Sequence, residues 1–385
     1  MKGFIKKTAV SVFFALILGS PLAAAPKQDA AQTGVKTVKV NVGIHNNGGG
    51  ATAVAVAIAK GYFAEYGIDP NVVIVESGPV EMAAMRADTP TLDIGYIGPG
   101  VAWNPIDSSG NSLSFVFFGQ LGNSERLLAK KGLFTDTNGN GTYDSGELYA
   151  GLRGKTVYFE VGTTPGGWFK NLISAINSER PVSDQLWLQC EDAAYLAGYQ
   201  APNNNPANRV LVVNYQNANI GVGMISAAGN QAVEIAVAFE PIPSTVLKAG
   251  SNIEVAADIN ALPKDKVFPS TFVANTKWLA ANPETAQNFI NALYRASVWI
   301  ADNRDEALRI AEKLCQRPEG TFIVDSYAPT ADDYRQWFAA ADSKGYGYMR
   351  SLYDERLPNV PQGVTPKTLE QALDFSFLLK AIAGN

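Results

Sequence analysis

Thr37-Val38-Lys39-Val40-Asn41-Val42-Gly43-Ile44-His45-Asn46-Asn47-Gly48-Gly49-Gly50 is a strand running into a polar, glycine-rich loop. Val38, Val40, Val42 and Ile44 alternate with Thr37, Lys39, Asn41 and Gly43, the period-2 pattern of a strand. The run Ala51 to Tyr66 that follows reads as a helix, with Gly67 as its C-cap. His45, the one histidine of the chain, stands where the strand hands over to the helix. In open α/β sheets ligands bind at that junction, because loops converge there and helix N-termini present free N–H groups. A loop that merely needs flexible glycines, with His45 as ordinary surface, is the competing reading.

Working outward, the rest of the chain repeats this alternation. An apolar run at 71–75, read as a strand buried on both faces, ends in Glu76-Ser77-Gly78-Pro79 and restarts as a helix over 80–86, with Ser77 as N-cap. A strand at 92–97 ends in Gly98-Pro99-Gly100, and another spans 114–118. A second series begins after residue 150: a strand at 156–159, the loop Glu160-Val161-Gly162-Thr163-Thr164, and a helix from Trp168 to Ile176. Residues 178–209, rich in Asn, Pro and Gln, read as a surface insertion. Strands at 210–214 and 235–239, a short helix at 220–229, a strand at 271–274 and helices at 283–303, 305–316 and 368–383 complete the pattern. Strands alternating with helices predict a largely parallel α/β architecture.

At 385 residues the chain is long enough for about two or three domains. It is 46% hydrophobic and 17% charged, and its net charge of -5 argues against nucleic acid as a partner. Lys2, Lys6 and Lys7, the apolar run Ala9 to Leu18 and the small residues Ala23-Ala24-Ala25 form a secretory signal peptide over 1–25, and 26–36 reads as a disordered leader. With no cysteine near residue 25 a lipid anchor is not expected, so the mature chain is expected soluble in the periplasm. Cys190 and Cys315 either pair, which the chain-entropy model values at ~4 kcal/mol, or remain separate thiols.

Glu76, Glu160 and Glu240 each follow an apolar strand, and carboxylates facing one cleft would ask for donors or positive charge on a ligand. Helix starts near Thr52, Ser77 and Thr164 suit an anion instead. A zwitterion or amino-bearing heterocycle meets both demands, with Trp103 and Trp168 as candidate walls and Lys170 the nearest cation. None of the loops is a G-x-G-x-x-G or a P-loop, and a hydrolase would need a nucleophile beside a base that the single histidine leaves wanting.

The most specific local motif is Asp136-Thr137-Asn138-Gly139-Asn140-Gly141-Thr142-Tyr143-Asp144-Ser145-Gly146-Glu147, which fits D-x-[DN]-x-[DN]-G-x₅-E at every position. Side chains of Asp136, Asn138, Asn140, Asp144 and Glu147 with the Thr142 carbonyl form the oxygen set that Ca²⁺ prefers, and the expected role is a structural ion near the crossover between the two series. A single such loop lacks the pairing of a dockerin-like module.

The order of motifs resembles the solute-binding proteins of ABC importers for nitrate, aliphatic sulfonates, taurine and thiamine-pyrimidine precursors. The resemblance rests on Ala59-Lys60-Gly61-Tyr62-Phe63-Ala64-Glu65-Tyr66-Gly67-Ile68, Leu92-Asp93-Ile94-Gly95-Tyr96, Leu152-Arg153-Gly154-Lys155-Thr156-Val157, Phe239-Glu240-Pro241 and Leu279-Ala280-Ala281-Asn282-Pro283-Glu284. It implies a type II periplasmic-binding-protein fold of two α/β lobes with a ligand cleft between them. Lobe I would be 37–125 with 247–385, and lobe II 126–246. By position it implies ligand contacts from His45, Asn46, Asn47, Gly48, Ser77, Gly78, Gly98, Pro99, Thr163, Thr164 and Glu240. It also implies a monomer that delivers a small solute to a membrane permease without catalysis. Phe239 stands where such proteins often have tryptophan, and the 178–209 insertion has no obvious counterpart. An enzyme on the same fold, like the fungal thiamine-pyrimidine synthase, is the alternative, although its cysteine-rich motif is missing here.

Overall fold

The computed structural model describes residues 37–384 except 99–111, 123–124, 194, 197–198, 226–232, 250–251, 264–267, 323–326 and 358–364. The signal peptide and leader expected over 1–36, Pro99, Trp103 and the end of the helix expected at 220–229 lie outside the described residues. Two sheets carry the fold. The first runs in the order β2 (Ile68–Val75), β1 (Val38–His45), β3 (Ile94–Ile97), β11 (Pro269–Asn275), β4 (Leu113–Leu121). The second runs β10 (Ile253–Ala257), β5 (Arg126–Lys130), β9 (Ile235–Ala238), β6 (Thr156–Phe159), β8 (Arg209–Asn214), β7 (Trp187–Cys190). Each sheet has a parallel part, β2-β1-β3 and β9-β6-β8-β7, as alternating strands and helices dictate. Each also has antiparallel members: β11 between β3 and β4, and β5 between β9 and β10.

The chain therefore passes between sheets twice, through 122–125 and again through 258–268. This corrects the expected return to the first lobe at 247, because β10 still pairs with β5 and belongs to the second sheet. The helix expected over 51–66 is two: α1 (Gly48–Ala59) and α2 (Tyr62–Glu65), divided at Gly61, whose φ of 75° is left-handed and breaks the run. Helix α1 also begins earlier than expected. Asn47 caps it by accepting from the Gly50 N–H, so the glycine loop is the first turn of the helix. Strand β2 is not buried on both faces; it is the edge of the first sheet, and Val73 and Ile74 are exposed. The helix expected at 368–383 is likewise interrupted, as 369–372 and 376–384, and helices at 331–337 and 344–356 were not anticipated.

The insertion at 178–209 contributes β7, the other edge of the second sheet. Its asparagines replace what a regular element would supply. Asn177, the last residue of helix Thr164–Asn177, donates to the Leu186 carbonyl and accepts from the Leu186 N–H. Asn203 donates to the Val182 and Gln185 carbonyls, and the buried Asn208 donates to Ser183 while accepting from Arg153. Cys190 lies on β7 and Cys315 is buried at the end of helix Arg304–Leu314; both are free thiols, and burial pushes that of Cys315 up to about 11. No helix among the described residues is long and apolar enough to cross a membrane.

The core lies where helices Pro283–Asp302 and Ser376–Gly384 cover β4, all nine residues of which are buried, and where Phe117 packs edge-on to Phe272 of β11. Removing the paired Asn177 bonds should cost about 1–3 kcal/mol, since Asn177→Ala leaves the amide and carbonyl of the buried Leu186 without those partners. Urea unfolding should show a lower midpoint with unchanged slope; an unchanged midpoint would mean the insertion is held by other contacts.

Candidate ligand-binding cleft

Both sheets and both crossovers meet at one cavity of about 40 Å³. From the first sheet come His45 at the end of β1, Asn47 behind it, Tyr96 on β3, Gly98 just past it, and Ser77-Gly78 at the start of α3 (Gly78–Arg86). The second contributes Thr163 and Thr164, the cap and first residue of helix Thr164–Asn177. Gly122 and Glu125 enter from one crossover, and Phe268 and Pro269 from the end of the other. The halves touch here: a Cβ placed on Gly98 would lie 2.6 Å from the Thr164 methyl.

Ser77 and Thr163 both take the extended cap conformation, yet neither side chain bonds to its own helix N-terminus. Thr163 donates instead to the Glu160 carbonyl, and Thr164 donates to the Glu125 carboxylate across the two halves. Pro79 and Pro165 bring no N–H to these helix starts and the Gly166 N–H donates to the Thr163 carbonyl, so what α3 and the 164–177 helix offer the cleft is chiefly the positive end of the helix dipole, a setting that favours negative charge.

The interior of the first half explains His45. Its Nε2 lies 2.8 Å from Oε2 of Glu81, a residue of α3 with no solvent exposure, and its ring meets Tyr96 edge-on at 5.1 Å. Gly43 and Gly95 face each other across β1 and β3. Both are glycine because the Glu81 carboxylate occupies the space their Cβ atoms would fill, 2.2 Å and 1.8 Å from its Oε1. Burial pushes the Glu81 carboxyl up, and the hydrogen bond and charge of His45 pull it back down.

The other expected contacts are distributed differently. Asn46 points away and accepts from Arg317 Nε at 2.9 Å, and Gly48 serves α1 through its carbonyl, which accepts from Thr52. Glu240 is buried beyond the cavity lining, accepts from the Ser244 N–H and precedes a cis Pro241. Glu76 is exposed, and Glu160 accepts from the Asn217 N–H, so the three carboxylates do not converge. Trp168 is fully buried core, and Lys170 donates to the Tyr195 carbonyl. The carboxylate that does line the cavity is Glu125. Its one visible signal was its place just after an apolar strand and a glycine, the pattern shared by the other cleft loops.

No protein-family model matches the chain. Four curated proteins of Brucella abortus, Brucella suis and Brucella melitensis are each 25% identical over 278 residues, 72% of this chain and 72% of theirs, and their names say only that each is taken to be a binding protein. Among solved structures, the chain resembles the periplasmic nitrate-binding protein NrtA of Synechocystis PCC 6803, with 13% identity and a TM-score of 0.61 over 90% of this chain and 89% of that one. The periplasmic aliphatic sulphonate-binding protein SsuA of Escherichia coli gives 14% identity and a TM-score of 0.52 over 87% and 91%. The fold is that of a two-lobed periplasmic binding protein. The desulfurization enzyme DSZB shares it, at 12% identity and a TM-score of 0.55 over 90% and 99%. In a periplasmic-binding-protein fold the two sheets here are the two lobes, and the cavity lies between them against both crossovers.

The calcium motif falls inside the second lobe of this binding-protein fold, after β5, rather than beside a crossover. Gly141 takes the left-handed φ of 81° that position 6 of such a loop requires. The Asp136 carboxylate accepts from the N–H groups of Gly139, Asn140 and Gly141, and Asn140 accepts from Thr142. Asp144 and Glu147 form a capping box for helix Ser145–Leu152, and Glu147 also accepts from the Thr137 N–H and hydroxyl. No group of three or more His, Cys, Asp or Glu side chains among the described residues is arranged to hold a metal. The Thr137 hydroxyl and the backbone of Asp144 and Thr137 hold the Glu147 carboxyl below its ordinary value. A lowered carboxyl stabilises the fold above its unfolded value and loses that contribution as pH falls through the folded one. In calcium-free buffer, Glu147→Ala should therefore lower the Tm at pH 7, with the gap to the parent chain narrowing as the pH falls below the ordinary glutamate value. A gap that stays constant across that range would contradict the assignment.

Proposed function

We propose that this chain is the extracytoplasmic solute-binding component of an ABC importer. It captures a small solute between its lobes and hands it to a membrane permease, as a periplasmic monomer. The observation that carries this reading is the cavity itself, built from both lobes and both crossovers, so that closing the lobes completes it. A two-lobed fold shared with nitrate- and sulphonate-binding proteins supports it. Glu125 asks for a donor or cationic end, and the two helix starts ask for an anionic one. A taurine-like zwitterion or an amino-heterocycle meets both better than nitrate or bicarbonate does.

An enzyme on this fold is the second reading, and DSZB is the reason to keep it in view. Neither cysteine lines the cavity, which leaves no thiol nucleophile among its described residues. A thermal-shift screen of taurine, alkanesulfonates, nitrate, bicarbonate and aminopyrimidines decides between them. One zwitterion should raise the Tm and be recovered unchanged, and Glu125→Gln should weaken its binding roughly tenfold or more, the scale of a lost charged hydrogen bond. Consumption of the compound would favour the enzyme, and no shift from any of them would remove the solute assignment.

We also propose that Asp136, Asn138, Asn140, Asp144 and Glu147, with the Thr142 carbonyl, hold a structural Ca²⁺. The complete motif and the left-handed Gly141 support this. Binding would require Glu147 to exchange its bonds with Thr137 for the ion. Calorimetry of the parent chain should show calcium uptake that Asp136→Ala with Glu147→Ala abolishes; uptake that survives the double substitution, or none at the start, defeats it.

A further inference from the structure

Glu81 is a carboxylate with no solvent exposure; neither of its oxygens has a partner in full hydrogen-bond geometry, and Oε2 meets His45 Nε2 at 2.8 Å as an ion-pair contact. Such a group normally costs several kcal/mol unless it is paired, and evolution of an ordinary core would place an apolar side chain there. Here two glycines on adjacent strands are cut back to make room for it, and Oε2 is turned onto the one histidine, which lines the cleft. We propose that Glu81 is a positioning residue for solute recognition: it holds the His45 ring by Nε2 and leaves Nδ1 as the atom that meets an anionic group of the solute. The role of Nδ1 rests on the solute-binding reading above; the hold on the ring does not.

The chemistry follows from counting protons on the pair. With one proton shared between Glu81 and Nε2 and a second on the ring, Nδ1 carries a hydrogen and donates. This holds whether the shared proton is assigned to the carboxyl or to the imidazole, because both arrangements leave Nδ1–H intact. When the pair loses one proton, Nδ1 is bare and can only accept. The loaded pair is net neutral and the depleted pair carries one negative charge, so burial of Glu81 favours the loaded form. A sulfonate, carboxylate or nitrate oxygen docks on the loaded form, and its binding takes up a proton wherever the pair has lost one. With Glu125 on the opposite crossover, the solute is oriented with its anionic end at His45 and its amino end at Glu125.

The other groups around the ring leave this assignment in place. Tyr96 of β3 meets it edge-on, and Asn47 caps α1, which has no charged residue before Lys60. Glu76 follows Val75, the register partner of His45 on β2, and is exposed. Arg317 is engaged by Asn46, and Glu125 faces the same cavity.

Because His45 is the only histidine, the test reads a single imidazole. The chain labelled with ¹⁵N-histidine is titrated by NMR, without solute, from about pH 5 to 9, the range around an ordinary histidine value. In the parent chain Nε2 should stay hydrogen-bonded throughout while Nδ1 alone gains and loses its proton. Glu81→Gln, which keeps shape but not charge, should let both tautomers appear; Glu81→Asp, which keeps charge but withdraws from the ring, serves if the glutamine variant does not fold. Equal tautomer populations in the parent chain, or an unchanged pattern in the variants, overturn the hold. Calorimetry with ethanesulfonate and with taurine, at a pH where the NMR titration shows Nδ1 bare and in buffers of different ionisation enthalpy, then tests Nδ1. Proton uptake on binding, lost in Glu81→Gln together with roughly tenfold of affinity, is expected. Binding without proton linkage overturns the role of Nδ1, whereas binding of neither compound counts against the solute-binding reading and leaves the NMR result to decide the hold of Glu81.

Discussion

The first lobe depends on β11. Strand β4 is buried along its whole length, and β11 is its one strand neighbour among the described residues, beyond isolated bridges to Leu373 and Tyr327, while β3 is held between β1 and β11. By pairing antiparallel with both, β11 joins two pieces of chain that would otherwise remain separate, and every one of its seven residues is buried in doing so. Side chains reinforce the seam: Thr271 donates to the Ile97 carbonyl, and Asn275 donates to that of Met85. Burial on both faces leaves no room for an unpaired N–H, so the register is tightly specified.

The cleft is a product of that join. Bringing β11 between β3 and β4 forces the chain to cross between lobes twice, and the ends of the crossings supply Gly122, Glu125, Phe268 and Pro269 to the cavity. Glu125 is thus bound to the geometry of lobe motion, because it accepts from Thr164 of the other lobe while standing on a crossover. His45 is the opposite case. Its position is fixed from within one lobe, by Glu81, Tyr96 and the first turn of α1. A solute gripped by both would meet one wall that moves with closure and one that does not.

The period-2 run at 38–44, the continuous apolar strands and the polar strand ends were readable, and most of the loops they named do line the cavity. Residues depending on through-space neighbours were not. Glu81 sits in a run of Met and Ala that reads as an ordinary helix with one solvent-facing acid; its burial is set by Gly43 and Gly95, on two strands that only the fold brings together. Strand β2 has the apolar content of a central strand, but its place at the edge is decided by topology. Strand β7 was hidden because Asn177, Asn203 and Asn208 replace regular backbone pairing with side-chain bonds, and asparagine-rich sequence reads as loop. Glu240 was expected in the cleft because of its neighbours in the chain, yet it serves the Ser244 amide instead.

Seen as a path through the chain, the second lobe is an insertion within the first. Its six strands are contiguous from 126 to 257, whereas the seam of the first lobe joins residues 174 positions apart, Thr271 and Ile97. Closing so long a loop must precede the contacts that reward it, so the inserted lobe can gain its sheet while β3 and β4 still lack their common partner. During that interval β4 presents a long, largely apolar edge to solvent, the kind of surface that pairs with other chains. The arrival of residues 269–275 ends that exposure, which makes β11 as much a guard against self-association as a structural strand.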